Sequence, residues 1–435
     1  MRSPVRATPT FSLRAYARLT SLLAPAVGML ARRRLGQGKE DPERIQERRG
    51  EATIARPKGR IVWLHGASVG EFLSIVPLVE RLQARGVTVL VTTVTLTAAR
   101  LAAKRLPPGA LHQFMPWDVP RFIERFLDHW RPDLAIFAES ELWPNLIIRT
   151  TNRGTPLIQV NGRMSERSFK GWKRVQGSIG FLLSRFELCL MQTVDDGRRV
   201  SDLGAPRVQT TGNLKFDVPA PAAEPAALAA LSAAIGRRPV FLAASTHEGE
   251  DEIVLAAHKL MAPKLDNLLT IIAPRHPERG AAIAQLAEAE GLLAVQRSTG
   301  QLPARGTAVY VADTLGEMGL LYRVAPVALL GGSLIRHGGQ NPIEPAKLGS
   351  AIVHGPHIFN FQAVYDALAE RSATLEVADA ESLATAALSL ILDKDARTRQ
   401  AEAAEAAVAL LGGALDLTLG AIEPYFLALA MKGGS

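Results

Sequence analysis

The first candidates for chemistry are acidic side chains that follow short β-branched runs. Glu71 ends the segment His65-Gly-Ala-Ser-Val-Gly-Glu71, between the apolar run Ile61-Val-Trp-Leu64 and an apolar helical stretch at 72–78. A carboxylate at the C-terminal end of a strand, facing a ligand cleft, can accept the proton of an attacking hydroxyl. Glu71 also stands three residues after Ser68, the spacing of a capping box, in which the serine accepts from a backbone N–H and the glutamate reaches back. Spacing alone leaves base and cap both open. Glu139 and Glu141 stand two apart in Ala138-Glu-Ser-Glu-Leu-Trp-Pro-Asn145 and would share a face of a strand-like segment. Such a pair can set an acid and a base apart in pKa, or can simply face the positive end of the next helix.

Cations and glycines supply the complementary half. Asn161-Gly-Arg-Met-Ser-Glu-Arg-Ser168, followed by Lys170, Lys173 and Arg174, is a basic loop suited to phosphate or carboxylate, or a solvated charged turn. Lys215 lies in Gly212-Asn-Leu-Lys-Phe-Asp217. Arg275 and His276 lie between Pro274 and Pro277, whose fixed φ stiffens the backbone that aims them. A guanidinium fork matches phosphate oxygens, so Arg275 is the expected phosphate clamp. Ser245 and Glu248 repeat the capping-box spacing. The densest segment is Gly331-Gly-Ser-Leu-Ile-Arg-His-Gly-Gly-Gln-Asn-Pro-Ile-Glu-Pro345, where four glycines permit close backbone approach to a ligand. There Asn341, Pro342 and Glu344 read as a helix start, and the loop ahead of it as an anion site with Glu344 holding ribose hydroxyls. His247, His276, His337, His354 and His357 are scattered singly, and no metal is expected.

These segments must be held by a scaffold, and from residue 60 short β-branched runs alternate with helical patterns, which predicts parallel βαβ units. The first half offers strands at 61–64, 87–93, 134–137 and 156–160, the second at 239–244, 268–272, 309–311, 327–330 and 351–353. In open parallel sheets ligands bind outside the carboxyl ends of the strands, so chemistry is sought in the loops that follow them, while Lys215 lies just before the linker. Between the halves, Asp217-Val-Pro-Ala-Pro-Ala-Ala-Glu-Pro225 carries three prolines and reads as a linker. The expected organisation is a membrane-associating segment at 1–50, Rossmann-like domains at 51–216 and 226–435, and a linker at 217–225. The tract 382–413 and the segment 415–431 read as helical.

A chain of 435 residues, 47% apolar and 21% charged, is ample for two cores and excludes both wholesale disorder and a polytopic membrane protein. Its one cysteine, Cys189, excludes a disulfide framework. The net charge of +8 favours anionic partners. Arg2, Arg6, Arg14, Arg18, Arg32, Arg33 and Arg34 flank a 13-residue apolar stretch at 19–31, and none of the first 38 residues is acidic. That stretch is too short to span a bilayer and carries Pro25 and Gly28. It suits monotopic attachment to anionic lipid, or else a surface helix packed on the protein's own core. On the first reading, residues 1–35 are removable without loss of the catalytic body.

Taken together and in order, these segments closely resemble the Kdo transferases of lipopolysaccharide synthesis, from about residue 61 to 361. The carriers are Ser68-Val-Gly-Glu71, Glu139-Ser-Glu-Leu-Trp-Pro-Asn145, Asn161-Gly-Arg-Met-Ser-Glu-Arg-Ser168, Gly212-Asn-Leu-Lys-Phe-Asp217, Ser245-Thr-His-Glu-Gly-Glu250, Pro274-Arg-His-Pro-Glu-Arg279, Asp313-Thr-Leu-Gly-Glu-Met318 and Asn341-Pro-Ile-Glu344. The resemblance implies an α/β GT-B fold, with two Rossmann-like domains facing an interdomain cleft. It implies transfer of Kdo (3-deoxy-D-manno-octulosonic acid), with inversion, from CMP-Kdo to a lipid A precursor at the cytoplasmic side of the inner membrane. It places Glu71 as general base, and Glu139 and Lys215 as supports of the transition state. The nucleotide falls to Pro274 and Arg275, to Gly316, Glu317 and Met318, and to Asn341, Pro342, Ile343 and Glu344. No cofactor and no nucleic acid is implied. The family commonly has Thr, Ala and His where Ser140, Gly162 and Gln340 stand. Other sugar-nucleotide enzymes of the same fold, such as an epimerase or a UDP-sugar-dependent lipid A disaccharide synthase, and a catalytically inert sugar-nucleotide-binding module remain the alternatives.

Overall fold

Each half of the chain builds its own seven-stranded sheet, and every strand pair in both is parallel. The computed structural model describes residues 8–431. The first sheet contains β1 (Ile61–His65), β2 (Thr88–Thr93), β3 (Leu111–Phe114), β4 (Leu134–Ala138), β5 (Leu157–Gly162), β6 (Leu188–Met191) and β7 (Val208–Thr210), in the order β3-β2-β1-β4-β5-β6-β7. The second contains β8 (Val240–Thr246), β9 (Leu269–Pro274), β10 (Ala294–Gln296), β11 (Val309–Val311), β12 (Val327–Leu330), β13 (Ala351–His354) and β14 (Thr374–Glu376), in the order β10-β11-β9-β8-β12-β13-β14. The central strands are buried along their length, as helices on both faces of a parallel sheet require. Ser68, Thr95, Ser165 and Thr193 stop the preceding segments and cap the helices after β1, β2, β5 and β6.

The nine strands expected from β-branched runs are all present, and 309–311 and 327–330 are β11 and β12 to the residue. Strands β3, β6, β7, β10 and β14 were not expected. They are three or four residues long, and β3, β7, β10 and β14 lie at sheet edges, where a full apolar run is not needed.

The division of the chain differs from the expected one. One unit comprises the residues up to Val218 together with those from Gly412 onward, and the other is Pro219–Leu411. The last helix, Ala414–Met431, therefore belongs to the first unit rather than to a 226–435 domain. It buries Leu419, Ile422, Phe426 and Leu429 in the same core cluster as Leu64, Ile75 and Leu78. Arg81 and Arg85 pair with its Asp416 and Glu423. Asp217 fixes the place where the chain returns, its two carboxylate oxygens accepting from Gly413 N and Leu415 N at 2.7 Å each. The linker is also shorter than 217–225, because Pro225 opens the helix Pro225–Ile235.

Nor is 1–50 a detachable segment. Glu40 takes Arg34 and Arg48 on its two carboxylate oxygens, at 2.7 and 2.9 Å, and Glu47 accepts from Phe114 N at 2.7 Å. Arg48, 2% exposed, also donates to Met115 O and Val94 O, so 40–50 is sewn to the β2–β3 edge. Arg2 and Arg6 lie outside the described residues. Helices Phe11–Leu22 and Val27–Gly36 follow, and the first packs on Pro120–Trp130 and Pro144–Asn152. Leu13 enters the main core, and Thr20 Oγ1 accepts from Asn145 Nδ2 at 3.1 Å. Asp118 Oδ1 and Oδ2 cap the neighbouring helix at Leu146 N and Asn145 N. Tyr16, beside Asp118, has its pKa pushed up by burial and then by that carboxylate.

Removing residues 1–35 would therefore open a core. Leu13→Ala is expected to cost about 2–4 kcal/mol in denaturant unfolding. A loss under about 0.5 kcal/mol, the range of a surface substitution, would show that the helix contributes no core.

Candidate active site

A parallel sheet that starts at its centre must send its connections in opposite directions, which opens a crevice at the strand carboxyl ends. In the first unit the divergence lies between β1 and β4, because β2 and β3 lie to one side and β5 to β7 to the other. Glu71 follows β1, Glu139 and Glu141 follow β4, and Lys215 comes from the 3-10 turn Leu214–Phe216 after β7. Glu139 leaves β4 with φ +54°, a left-handed conformation that a residue with a Cβ keeps only where its surroundings enforce it. Its N–H donates to Val160 O at 2.9 Å and its carbonyl accepts from Gln159 Nε2 at 2.6 Å. So fixed, its carboxylate meets Lys215 Nζ at 2.5 Å. Asn161 and Asn213 aim the lysine, their Oδ1 atoms accepting from Leu214 N and Lys215 N at 3.0 Å each. Asn161 too has φ +53°.

Glu71 serves as both a cap and a poised carboxylate. Its Oε1 accepts from Ser68 Oγ at 2.9 Å and its Oε2 from Ala67 N at 2.8 Å, while Ser68 Oγ accepts from Glu71 N at 3.4 Å. The reach-back goes one residue beyond the N-cap's own N–H. Burial pushes the Glu71 pKa above the usual carboxylate range, and the nearby charges of Glu139 and Glu141 push the same way against the two hydrogen bonds. Glu139 and Glu141 do not form the expected pair. Glu141 turns to Trp143, whose Nε1 donates at 2.5 Å, and to His65 Nε2 at 3.7 Å. Burial would raise its pKa, but those partners outweigh it and hold it low. Glu71 and Glu141 are thus shifted in opposite directions. The basic loop folds instead as the exposed helix Glu166–Lys173, with Lys170 paired to Glu166 at 2.6 Å, the solvated reading.

In the second unit the chain diverges between β8 and β12. Pro274 ends β9, and Arg275, exposed, donates its N–H to Thr246 O at 2.9 Å. Gly316, at φ +84°, turns the chain after β11 into Glu317 and Met318. Glu317 is gripped by Arg297 through Nε and Nη2 at 2.5 and 2.6 Å, which holds its pKa low, and by Thr314. Arg297 carried no sequence signal, because it lies outside every motif. Asn341 Oδ1 accepts from Ile343 N at 3.1 Å, and Ile343–Lys347 is a helix of only five residues. Burial raises the pKa of Glu344.

The glycine loop is not an open anion site. The carboxylate of Glu250, 0% exposed, already fills it, accepting from Gly332, Ser333 and Leu334 N–H at 2.6, 3.0 and 3.0 Å and from His247 N at 2.9 Å. Glycine is needed at 331 because a Cβ there would lie 2.4 Å from Ser245 O. The expected Ser245–Glu248 cap is displaced: Ser245 takes φ +59° and the exposed Glu248 yields to Glu250. The histidines are not all scattered either. His247 and His337 rings stack with centroids 3.8 Å apart, and His276 lies 6.0 Å from His247. Gln340, where the family commonly has His, donates from Nε2 to His247 Nε2 at 3.0 Å. These contacts join residues 29 to 93 positions apart, so sequence could not show them. Among the described residues, no group of His, Cys, Asp and Glu has a geometry able to hold a metal ion.

Glu250→Gln would turn an amide N–H toward backbone N–H groups and leave donors buried and unpaired. It is expected to destabilise the chain by about 3–5 kcal/mol in denaturant unfolding. An unchanged midpoint would remove Glu250 as the tie between these loops.

A family model described as 3-deoxy-D-manno-octulosonic-acid transferase (kdotransferase) matches residues 43–218, which contain Glu71, Glu139 and Lys215. The 3-deoxy-D-manno-octulosonic acid transferase of Haemophilus influenzae is 35% identical over 392 residues, 88% of this chain and 91% of that protein. That of Bordetella pertussis is 38% identical over 392 residues, 87% and 89% of the two chains. Among solved structures, a glycosyltransferase from Rickettsia africae superimposes with a TM-score of 0.56 at 14% identity, over 86% of this chain and 99% of that one, a likeness of fold. With relatives this similar over nearly their whole length, and two Rossmann-like units of the GT-B type, the chain belongs to the 3-deoxy-D-manno-octulosonic-acid transferase family of glycosyltransferases.

Proposed function

We propose that this protein transfers Kdo from CMP-Kdo to a lipid A precursor, lipid IVA, in lipopolysaccharide core biosynthesis, with inversion at the anomeric carbon. The observation that carries the reading is the meeting of Glu71, Glu139 and Lys215 at the divergence of β1 and β4, in a chain of this family. Glu71 takes the proton of the acceptor hydroxyl as its oxygen bonds to the anomeric carbon. The bond from that carbon to the phosphate oxygen breaks, and its electron pair leaves with CMP. One base and a stabilised leaving group suffice for such a displacement. Glu139 and Glu141 are occupied by Lys215 and by Trp143 with His65, which favours a single base over a second carboxylate acting as nucleophile. Arg275 meets the phosphate of the donor, and the segments at 316–318 and 341–344 hold its nucleoside.

The acceptor is a lipid, and the surface of helices Phe11–Leu22 and Val27–Gly36 suits one. Phe11, Leu22 and Met29 are 78%, 78% and 77% exposed, beside exposed Arg14, Arg18, Arg32 and Arg33. This apolar and basic surface supports monotopic attachment at the cytoplasmic face of the inner membrane, through anionic lipid. One stretch, residues 394–429, is apolar and long enough to cross a membrane, but it comprises two helices, and the second buries its apolar face in the first unit.

Two outcomes test this account. Glu71→Gln keeps an acceptor for Ala67 N–H but cannot take a proton, and should lower the transfer rate about 10²–10⁴-fold with little change in melting temperature. In the wild type the base works only when ionised, so the rate falls as pH drops through the raised Glu71 pKa. Its acid limb should therefore lie above the ordinary value of 4.5. A fully active Glu71→Gln, or an acid limb below that value, contradicts the assignment. Replacing Phe11, Leu22 and Met29 together with Ser should reduce flotation with phosphatidylglycerol vesicles at least about tenfold without loss of stability. Unchanged flotation contradicts the attachment.

A further inference from the structure

The imidazole of His247 lies where the second sheet diverges, among arginine and histidine side chains. From the loop after β9 come Arg275, His276 and Arg279, and from the glycine loop after β12 comes His337, stacked on it at 3.8 Å. The nearby acids are directed elsewhere. Glu250 accepts the backbone N–H of His247 and those of the glycine loop. Asp251 is taken by Arg279 and by Thr246 Oγ1 at 2.7 Å, and Glu278 lies 3.8 Å from His276 Nδ1. Glycine at 332, with φ +67°, brings the two rings together, since a Cβ there would come within 3.3 and 3.4 Å of their Cδ2 atoms. His247 is 8% exposed while Arg275, His276 and His337 are open to solvent.

Burial first, and then the neighbouring histidines and arginines, push the His247 pKa down to about 4, so its ring is neutral at physiological pH and accepts from Gln340 Nε2. A proton placed on His247 is repelled by the neighbouring Arg275 and Arg279, and an incoming anion relieves that repulsion. We propose that His247, His337, His276 and Arg275 form a subsite for an anionic oxygen group of the sugar nucleotide, and that His247 takes a proton from solvent as that group arrives. The proton converts Nε2 from acceptor to donor, and the Gln340 amide turns to offer its Oε1 in place of Nε2. This inference rests on the proposed donor. CMP-Kdo carries two such groups, a phosphodiester and a sugar carboxylate, and either satisfies the same chemistry.

Calorimetric titration of the full chain in two buffers of different ionisation enthalpy counts the protons. The probes are CMP-Kdo, the methyl ester of CMP, which has only the phosphodiester, and free Kdo, which has only the carboxylate. None of these anions titrates near neutral pH, so an uptake belongs to the protein. CMP-Kdo should bind with uptake of a sizeable fraction of one proton at about pH 6, declining toward about pH 8. The single-anion probe that reproduces the uptake identifies the group held. His247→Gln, which preserves a neutral polar contact with Gln340, should abolish the uptake. The exposed His337→Gln should reduce it, because His247 then starts less depressed. Binding of CMP-Kdo without net proton uptake, or uptake that persists in His247→Gln, overturns the inference while leaving the function intact. CMP-Kdo that neither binds nor turns over overturns the function itself.

Discussion

Two strands diverging from the middle of a parallel sheet are the constraint on which the rest of this structure depends. Because β1 sends its connection toward β2 while β4 sends its own toward β5, the loops after them face each other with no strand between. Glu71 and Glu139 stand on those two loops. The second sheet repeats the device with β8 and β12, and there the facing loops are the His247 segment and the glycine loop. Each sheet is buried on both faces, so its strand ends are where backbone geometry can become irregular without opening a core. The residues Glu139, Asn161 and Ser245 all adopt positive φ at such ends.

Charge placement follows from this geometry. Three carboxylates near one crevice would repel, and the structure separates them by assigning partners: Lys215 to Glu139, and Trp143 with His65 to Glu141. Glu71 keeps hydrogen bonds from neutral groups, at Ala67 and Ser68, and burial raises its pKa. In the second unit the two most deeply buried carboxylates are both taken, Glu250 by backbone N–H groups and Asp251 by Arg279, while Arg275 is left exposed.

The sequence made the scaffold legible because central strands of a parallel sheet are unbroken β-branched runs, and because chemistry must follow them. Glu71 and Glu139 could be placed after such runs, whereas Lys215 follows β7, which carries no such run, and the structure brings the three to one place. What sequence could not show was pairing across distance. Whether Glu139 faced Glu141 or Lys215 turned on one left-handed residue, which no periodicity encodes. Glu250 looked like a neighbour of a cap rather than the cap itself, since three of its four partners lie more than eighty residues on. The last helix was assigned to the nearer domain because amphipathic pattern shows that a face is buried, not against what. The apolar N-terminus was read as separable for lack of any sign that Leu13 points inward.

The most direct measurement is the mass of the product formed when the purified full-length protein is incubated with CMP-Kdo and tetraacylated lipid A precursor. The account predicts a lipid heavier by one or more Kdo residues, with CMP released in equal amount. A lipid of unchanged mass, with turnover of UDP-N-acetylglucosamine instead, would contradict it.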